Sequence, residues 1–108
     1  MSDREERMAR NETTARQINE DIEDAQPSSG PGLLRIVCEC GDRDCSRVIA
    51  ISVPEYESVR ADPTHFAVVK GHEVPAIEDV VGGTDRYTVV RKRPGVPAEI
   101  AEEEDPRS

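Results

Sequence analysis

The stretch Cys38-Glu39-Cys40-Gly41-Asp42-Arg43-Asp44-Cys45 places all three cysteines of the chain within eight consecutive residues. Zinc in structural sites takes four ligands in a tetrahedron and favours thiolate sulfur and imidazole nitrogen. A tight turn has to return Cys45 to Cys40, and Gly41 supplies the positive φ angle that such turns require. The spacing therefore predicts that Cys38, Cys40 and Cys45 bind one metal ion, Zn²⁺, which staples the fold.

The fourth ligand has to come from elsewhere in the chain, which contains two histidines. His72 follows Gly71 in a predicted loop, where a flexible backbone can direct the imidazole and Glu73 or a backbone carbonyl can hold its other nitrogen. His65 stands before a predicted strand, where a partly exposed surface histidine is the simpler interpretation. We predict His72 as the fourth ligand and keep His65 as the alternative.

Three other interpretations of the cysteine cluster remain open. The cysteines can pack as small, reduced hydrophobic groups, although a loop rich in Asp and Arg is a poor place to bury them. Two of them can form a disulfide on oxidation and release the metal, since Arg43 and Arg47 can lower the pKa of a neighbouring thiol. An iron–sulfur cluster would need His72 as a fourth ligand beside the three cysteines.

Signatures of catalysis are missing from the sequence around this cluster. A catalytic zinc keeps one coordination position for water, whereas four protein ligands close the site. The chain has neither the His-x-Glu and Pro-Cys-x-x-Cys pattern of zinc deaminases nor a His-Glu-x-x-His segment. A Gly-x-Ser-x-Gly elbow and a phosphate loop are also missing. The sequence predicts that the protein is not an enzyme, with a zinc-dependent hydrolase as an alternative.

The fold class follows from a small supply of apolar residues. Hydrophobic residues make up 35% of the chain, and its aromatic residues are Tyr56, Phe66 and Tyr87. A domain with so small a core usually needs a bound metal ion or another cross-link to fold stably. Short β-branched segments predict strands, and Ser52 with Glu55 forms a capping box that predicts a helix start. The class is α+β, a small antiparallel or mixed β-sheet with one short helix. Strands are predicted over 33–38, 47–53, 66–69 and 87–91, a helix over 53–61, and a strand or helical turn over 76–81.

Composition divides the chain into four segments. Residues 1–25 are predicted to contain a separate N-terminal helix, because a narrow apolar stripe recurs at helical spacing. A linker rich in proline and glycine follows over 26–32, and the metal-binding domain covers 33–93. Residues 94–108 hold 5 acidic residues and 1 basic residue, which predicts a disordered acidic tail. The stripe of the helix consists of Met8, Ala15, Ile18, Ile22 and Ala25.

Charge and hydropathy narrow the choice of partners. The formal charge of −9 argues against general nucleic-acid binding, because an acidic surface repels phosphate backbones. No apolar run is long enough to span a membrane, no secretion signal is recognisable, and an odd number of cysteines fits the reducing cytoplasm. The N-terminal helix is too weakly apolar to stand alone, so it either rests on its own domain or docks onto a protein partner. We predict a regulatory or adaptor protein that binds a protein partner through this helix, with a zinc–thiol redox sensor as the alternative.

Several stretches of the chain resemble a group of small actinobacterial proteins with no assigned function. The shared motifs are a Cys-Glu-Cys cluster, a Glu-Tyr-Glu helix, a Gly-His-Glu loop and a final Tyr-x-Val-Val strand. The resemblance covers residues 33–93 and implies no activity. The chain departs from the group at Val69-Lys70 and at Gly82-Gly83, away from the predicted ligands. The matching stretches here are Ile36–Cys45, Glu55–Phe66, Gly71–Glu73 and Tyr87–Lys92.

Overall fold

The computed structural model describes residues 3–25, 32–42 and 44–107. Nearly all of the predicted linker, residues 26–31, lies outside the described residues, as does Arg43. The described residues form α-helices and β-strands in mixed order, so the predicted α+β class is confirmed. In chain order the elements are α1 Asp3–Asp24, β1 Leu34–Val37, β2 Val48–Ile51, α2 Val53–Arg60, β3 His65–Val68, β4 Glu78–Gly83, β5 Thr88–Lys92 and α3 Val96–Glu103.

The described strands form two antiparallel sheets, whereas the sequence predicted one. β1 and β2 form the first, with Leu34 opposite Ile51. The second sheet has the order β3-β5-β4, with His65 of β3 opposite Arg91 of β5. The cysteine segment is the connection between β1 and β2, so the first hairpin carries the three cysteines at its closed end.

Side chains from both sheets and from α2 share one hydrophobic core. Ile36 of β1, Tyr56 of α2 and Phe66 of β3 are fully buried. Cys38 and Cys40 belong to the same cluster of buried residues. The cysteine segment therefore closes one side of the core instead of projecting from the surface as a free loop.

Helix α2 begins at the predicted capping box. The Ser52 hydroxyl accepts a hydrogen bond of 3.2 Å from the Glu55 amide, and a Glu55 carboxylate oxygen accepts one of 2.9 Å from the Ser52 amide. These two bonds satisfy amide groups that a helix start leaves without partners. The helix ends at Arg60, and the prediction of a helix in this region is confirmed.

The C-terminal segment differs from the predicted disordered tail. Residues Val96–Glu103 form helix α3, and its side chains Ile100 and Ala101 are buried. Glu104 and Asp105, which are among the acidic residues that suggested disorder, have partners in the fold. Glu104 accepts hydrogen bonds from Arg10 and Thr13 of α1, at 2.6 Å and 2.8 Å. The prediction of disorder is therefore wrong for this helix, because a count of charges does not reveal which charges meet across the fold.

Helix α1 packs against β1 and α3 through a polar face. The side chains of Glu12, Arg16 and Asn19 on this face are buried, whereas Ile18 of the predicted apolar stripe is 46% exposed. The sequence predicted a separate helix, and the structure differs because an apolar pattern cannot detect a contact made of ion pairs and hydrogen bonds. None of the helices in the described ranges is long and apolar enough to cross a membrane.

The buried cations Lys92 and Arg16 hold this polar face against the second sheet. The Lys92 ammonium, at the end of β5, contacts the carboxylates of Glu12 on α1 and Glu78 on β4. The Arg16 guanidinium lies 3.8 Å from the centre of the Phe66 ring, a cation–π geometry. Each cation thereby joins α1 to the β3-β5-β4 sheet.

Candidate metal centre

Four side chains converge at the closed end of the β1–β2 hairpin. Their ligand atoms, three sulfurs and one imidazole nitrogen, all lie within 4.8 Å of one another. The residues are the four predicted from sequence: Cys38, Cys40, Cys45 and His72. Two chain segments separated by 26 intervening residues thus supply one compact donor set.

Two distances within this group match those expected in a tetrahedral metal site. The Nδ1 atom of His72 lies 3.6 Å from the Cys38 sulfur and 3.7 Å from the Cys45 sulfur. Zinc bonds of about 2.3 Å to sulfur and about 2.0–2.1 Å to nitrogen, at tetrahedral angles, would place these atoms about 3.6 Å apart. The His72 nitrogen therefore already has, to two of the three sulfurs, the spacing that a tetrahedral S₃N site requires.

Backbone hydrogen bonds fix Cys38 at the end of β1. Its amide donates to the Arg47 carbonyl at 3.0 Å, which extends the hairpin pairing by one step. Its sulfur accepts a hydrogen bond of 3.2 Å from the Val69 amide. Such a bond stabilises negative charge on a coordinating thiolate, and it comes from the segment that leads to His72.

A tight turn brings Cys45 back towards Cys40. The Cys45 amide donates to the Asp42 carbonyl at 3.0 Å, and the Asp44 amide donates to the Asp42 carboxylate at 2.9 Å. Gly41 opens the turn with a φ angle of +82°, as the sequence predicted. Carboxylate-to-amide bonds of this kind are typical of turns that begin at aspartate.

Replacing Gly41 with alanine is expected to destabilise the fold by about 1–3 kcal/mol. Alanine rarely adopts this φ angle, and its Cβ would lie 3.0 Å from the Met8 carbonyl oxygen and 3.1 Å from the Glu12 Cγ of α1. Gly82→Ala is a suitable control, because no atom lies within 4 Å of the added Cβ and the φ angle is not positive. Urea unfolding measures both losses, and equal values for the two variants would contradict the expected role of Gly41.

The loop that carries His72 is shaped by Gly71. The His72 amide donates to the Val69 carbonyl at 2.9 Å, and Gly71 between them has a φ angle of +90°. Glu73, which the sequence suggested could hold the imidazole, instead accepts a hydrogen bond of 2.9 Å from the Gly71 amide. Glu73 therefore stabilises the loop that presents the ring.

The other histidine lies apart from this group. His65 begins β3, and its Nε2 atom is 3.6 Å from a carboxylate oxygen of Asp62. It is not among the four residues that the structure brings together. Of the two candidates for the fourth ligand, the fold places His72 beside the cysteines.

The surroundings favour protonated thiols unless a cation compensates the charge. Burial raises the pKa of both Cys38 and Cys40 above the usual cysteine value, and the Val69 amide opposes this shift at Cys38. Neighbouring cysteines add repulsion between thiolates. A divalent ion would reverse this balance, so metal binding would be accompanied by proton release and would weaken in acid.

Sequence analysis missed the role of the residue between the first two cysteines. Glu39 is 0% exposed, and its carboxylate accepts hydrogen bonds from the Ala67 amide at 2.9 Å and from the Asn19 side chain at 2.8 Å. Successive residues of an extended segment point in opposite directions. That alternation was the available signal, because two ligands on one side of the chain place Glu39 on the other.

Two clefts reach the group from the surface. A cleft of about 560 Å³ is lined by Cys40, His72 and residues of the first two turns of α1. A cleft of about 240 Å³ is lined by Cys38, Cys45 and the exposed side chain of Ile18. Each of the four side chains thus lines one of these two clefts.

No known protein family, curated protein or solved structure matches this chain. The function therefore has to be inferred from the chemistry of the four converging side chains and of the residues that support them.

Proposed function

We propose that the protein binds one Zn²⁺ ion through Cys38, Cys40, Cys45 and His72, and that the ion stabilises the fold. The observation that carries this proposal is the spacing of 3.6 Å and 3.7 Å between the His72 nitrogen and two of the sulfurs. Thiolate and imidazole donors suit zinc, whereas calcium and magnesium take oxygen ligands. An iron–sulfur cluster would place several atoms between the protein ligands and so would hold them farther apart.

The donor count supports a structural role for the ion. Four protein ligands complete a tetrahedron, and catalytic zinc sites usually have three and bind a water molecule. Cys38 and Cys40 are also part of the hydrophobic core, so the ion would join the hairpin, the core and the His72 loop. We accordingly propose a binding protein of regulatory or adaptor type and not an enzyme.

A protein partner is the second part of this proposal. Ile18 is 46% exposed on α1 and lines the smaller cleft beside Cys38 and Cys45. An exposed apolar side chain beside a cleft can anchor a partner by entering a pocket on the partner's surface. Replacing Ile18 with glutamate should abolish co-purification of a partner without changing the fold, and unchanged co-purification would refute the anchor.

The first test is metal content, measured by mass spectrometry on protein purified without a metal-affinity tag. About one zinc ion per chain is expected for the parent protein, with a large loss in His72→Ala and none in the matched control His65→Ala. In the cobalt-substituted protein, a tetrahedral S₃N absorption spectrum that does not change when anions are added would support a site with four protein ligands. A parent protein without metal would refute the proposal, and an anion-sensitive spectrum would favour the zinc-hydrolase alternative.

A zinc–thiol redox sensor is a second candidate, favoured by the position of Cys45. This cysteine is only half-buried and lines the smaller cleft, where peroxide could reach it. Two thiolates would form a disulfide while hydrogen peroxide takes up two electrons and two protons to become water, and the zinc ion would be released. Zinc retained after mild peroxide treatment would exclude this role.

A further inference from the structure

Helix α1 contacts the short segment that carries the first two cysteines. The Asn19 side chain accepts a hydrogen bond of 2.8 Å from the Val37 amide and donates one of 2.9 Å to the Val37 carbonyl. About two turns earlier on the helix, the Asn11 side chain donates to the Gly41 carbonyl at 3.0 Å. The backbone on both sides of Cys38 and Cys40 is therefore bound to α1.

Glu39 completes this arrangement from within the segment. One carboxylate oxygen accepts from Asn19 of α1 at 2.8 Å, and the other accepts from the Ala67 amide of β3 at 2.9 Å. The Glu39 amide also donates to the Ala67 carbonyl at 2.9 Å. With its side chain and backbone both bound, Glu39 has one orientation, and the two neighbouring sulfurs are directed to the opposite side.

We propose that Asn19 and Glu39 are positioning residues for the metal site, and that they make metal affinity depend on the docking of α1. The inference rests on the proposed binding of zinc. A ligand pair that is already oriented loses less conformational entropy when the ion binds, so the supporting hydrogen bonds contribute to affinity. Linkage is reciprocal, so a bound ion would stabilise the docking of α1 to the same extent.

The polar character of the α1 contact makes this dependence measurable. Buried atoms on α1 that have no hydrogen-bond partner within the described structure are Glu12 Oε1, Arg16 Nε and Glu23 Oε2. A buried charge without full compensation favours return to water. The desolvation of these groups therefore opposes the docking of α1. The hydrogen bonds between Asn19 and the cysteine segment favour docking, so their loss should measurably weaken it.

Exchanging the amide of residue 19 and the carboxylate of residue 39 tests the proposal in the full-length protein. Zn²⁺ affinity is measured by competition with a chelator for Asn19→Asp, Glu39→Gln and the double variant. Asn19→Asp places two carboxylates together, and its affinity is expected to fall by about tenfold or more. Glu39→Gln places two amide donors together, and a loss of several-fold is expected. In the double variant a glutamine amide faces a carboxylate, which repairs this contact, but the hydrogen bond that Asn19 donates to the Val37 carbonyl stays lost, so the affinity should return only in part.

Ser52→Ala provides the control for a purely structural effect. It removes the helix cap of α2, at a stability loss of about 1 kcal/mol, and it follows the end of β2 that lies opposite the cysteine segment. Its zinc affinity should equal that of the parent.

If Asn19→Asp does not fold, the zinc affinities of Glu39→Gln and of the double variant still test the positioning role. Parent-like affinity in the single variants, or a double variant no better than the weaker single one, would overturn the positioning role alone. A parent protein that binds no zinc would overturn the proposed function as well.

Discussion

Replacing Cys40 with serine is expected to abolish the cooperative unfolding transition of residues 33–93. Binding of a structural zinc contributes on the order of 10 kcal/mol or more in small zinc-binding peptides near neutral pH. A small domain is stable by only about 5–15 kcal/mol in total. Serine preserves the size of the side chain but removes the thiolate, and the apolar core around Cys40 is too small to replace the missing contribution.

Thermal unfolding followed by circular dichroism measures this loss. Treating the parent protein with a chelator should reproduce the behaviour of Cys40→Ser, and the chelator should have no further effect on the variant. His65→Ala serves as the control, because it leaves the four converging donors unchanged. A Cys40→Ser protein that melts cooperatively at the parent temperature would show that the fold does not depend on the metal.

Replacing Lys92 with methionine is expected to destabilise the fold by about 3–5 kcal/mol. Methionine has a similar length and fills the same space, so the main change is the removal of a charge. The carboxylates of Glu12 and Glu78, both almost fully buried, would then lie together without their cation. A buried pair that loses one member leaves an uncompensated charge, which is far more costly than the loss of an exposed pair.

The neighbouring residue Arg93 offers a matched control for this variant. Arg93 pairs with Asp79 at 2.8 Å, but the two side chains are 48% and 47% exposed. Exposed ion pairs contribute about 0–1 kcal/mol, so Arg93→Ala should change stability little. Urea unfolding of both variants measures the contrast, and equal losses would contradict a structural role for the buried cation.

The loss caused by Lys92→Met should also depend on pH. Burial raises the pKa of Glu12 from 4.5 to about 7, and Lys92 opposes this shift. Because the pKa is higher in the folded state, Glu12 contributes stability that is complete below about pH 4.5 and is lost as the pH rises through about 7. Without Lys92 the pKa would rise further, so at about pH 5.5 Glu12 would be protonated and the penalty smaller than at about pH 8. The same loss at both pH values would contradict this account.

The candidate metal site lies beside the polar face of α1. Glu12 contacts Lys92 on this face and also lies against Gly41, which opens the cysteine turn. Asn19 lies two turns further along the helix and binds the segment that carries Cys38. One face of α1 thus joins the buried ion pairs to the candidate ligands, which explains why Gly41 has to lack a side chain as well as adopt a positive φ angle.

The local features of the fold could be predicted from the sequence because they depend on residues close together in the chain. The capping box of α2 needs Ser52 and Glu55, which are three residues apart. The cysteine turn needs Gly41 between closely spaced ligands. The preference for His72 over His65 rested on the glycine before it, and the fold places that histidine among the cysteines.

Sequence alone determined the donor types, the tight turn that holds the cysteines and the α+β class. Tertiary structure alone decided how the ends of the chain pack, because their contacts join charges that are distant in sequence. Glu12 meets Lys92 across 80 positions, and Arg60 meets Asp105 across 45. The pattern of apolar residues carries no record of such pairs, so the N-terminal helix was predicted to be separate and the acidic tail to be disordered. The burial of Glu39 beneath the candidate ligands was likewise decided when α1 and β3 brought Asn19 and Ala67 to its carboxylate.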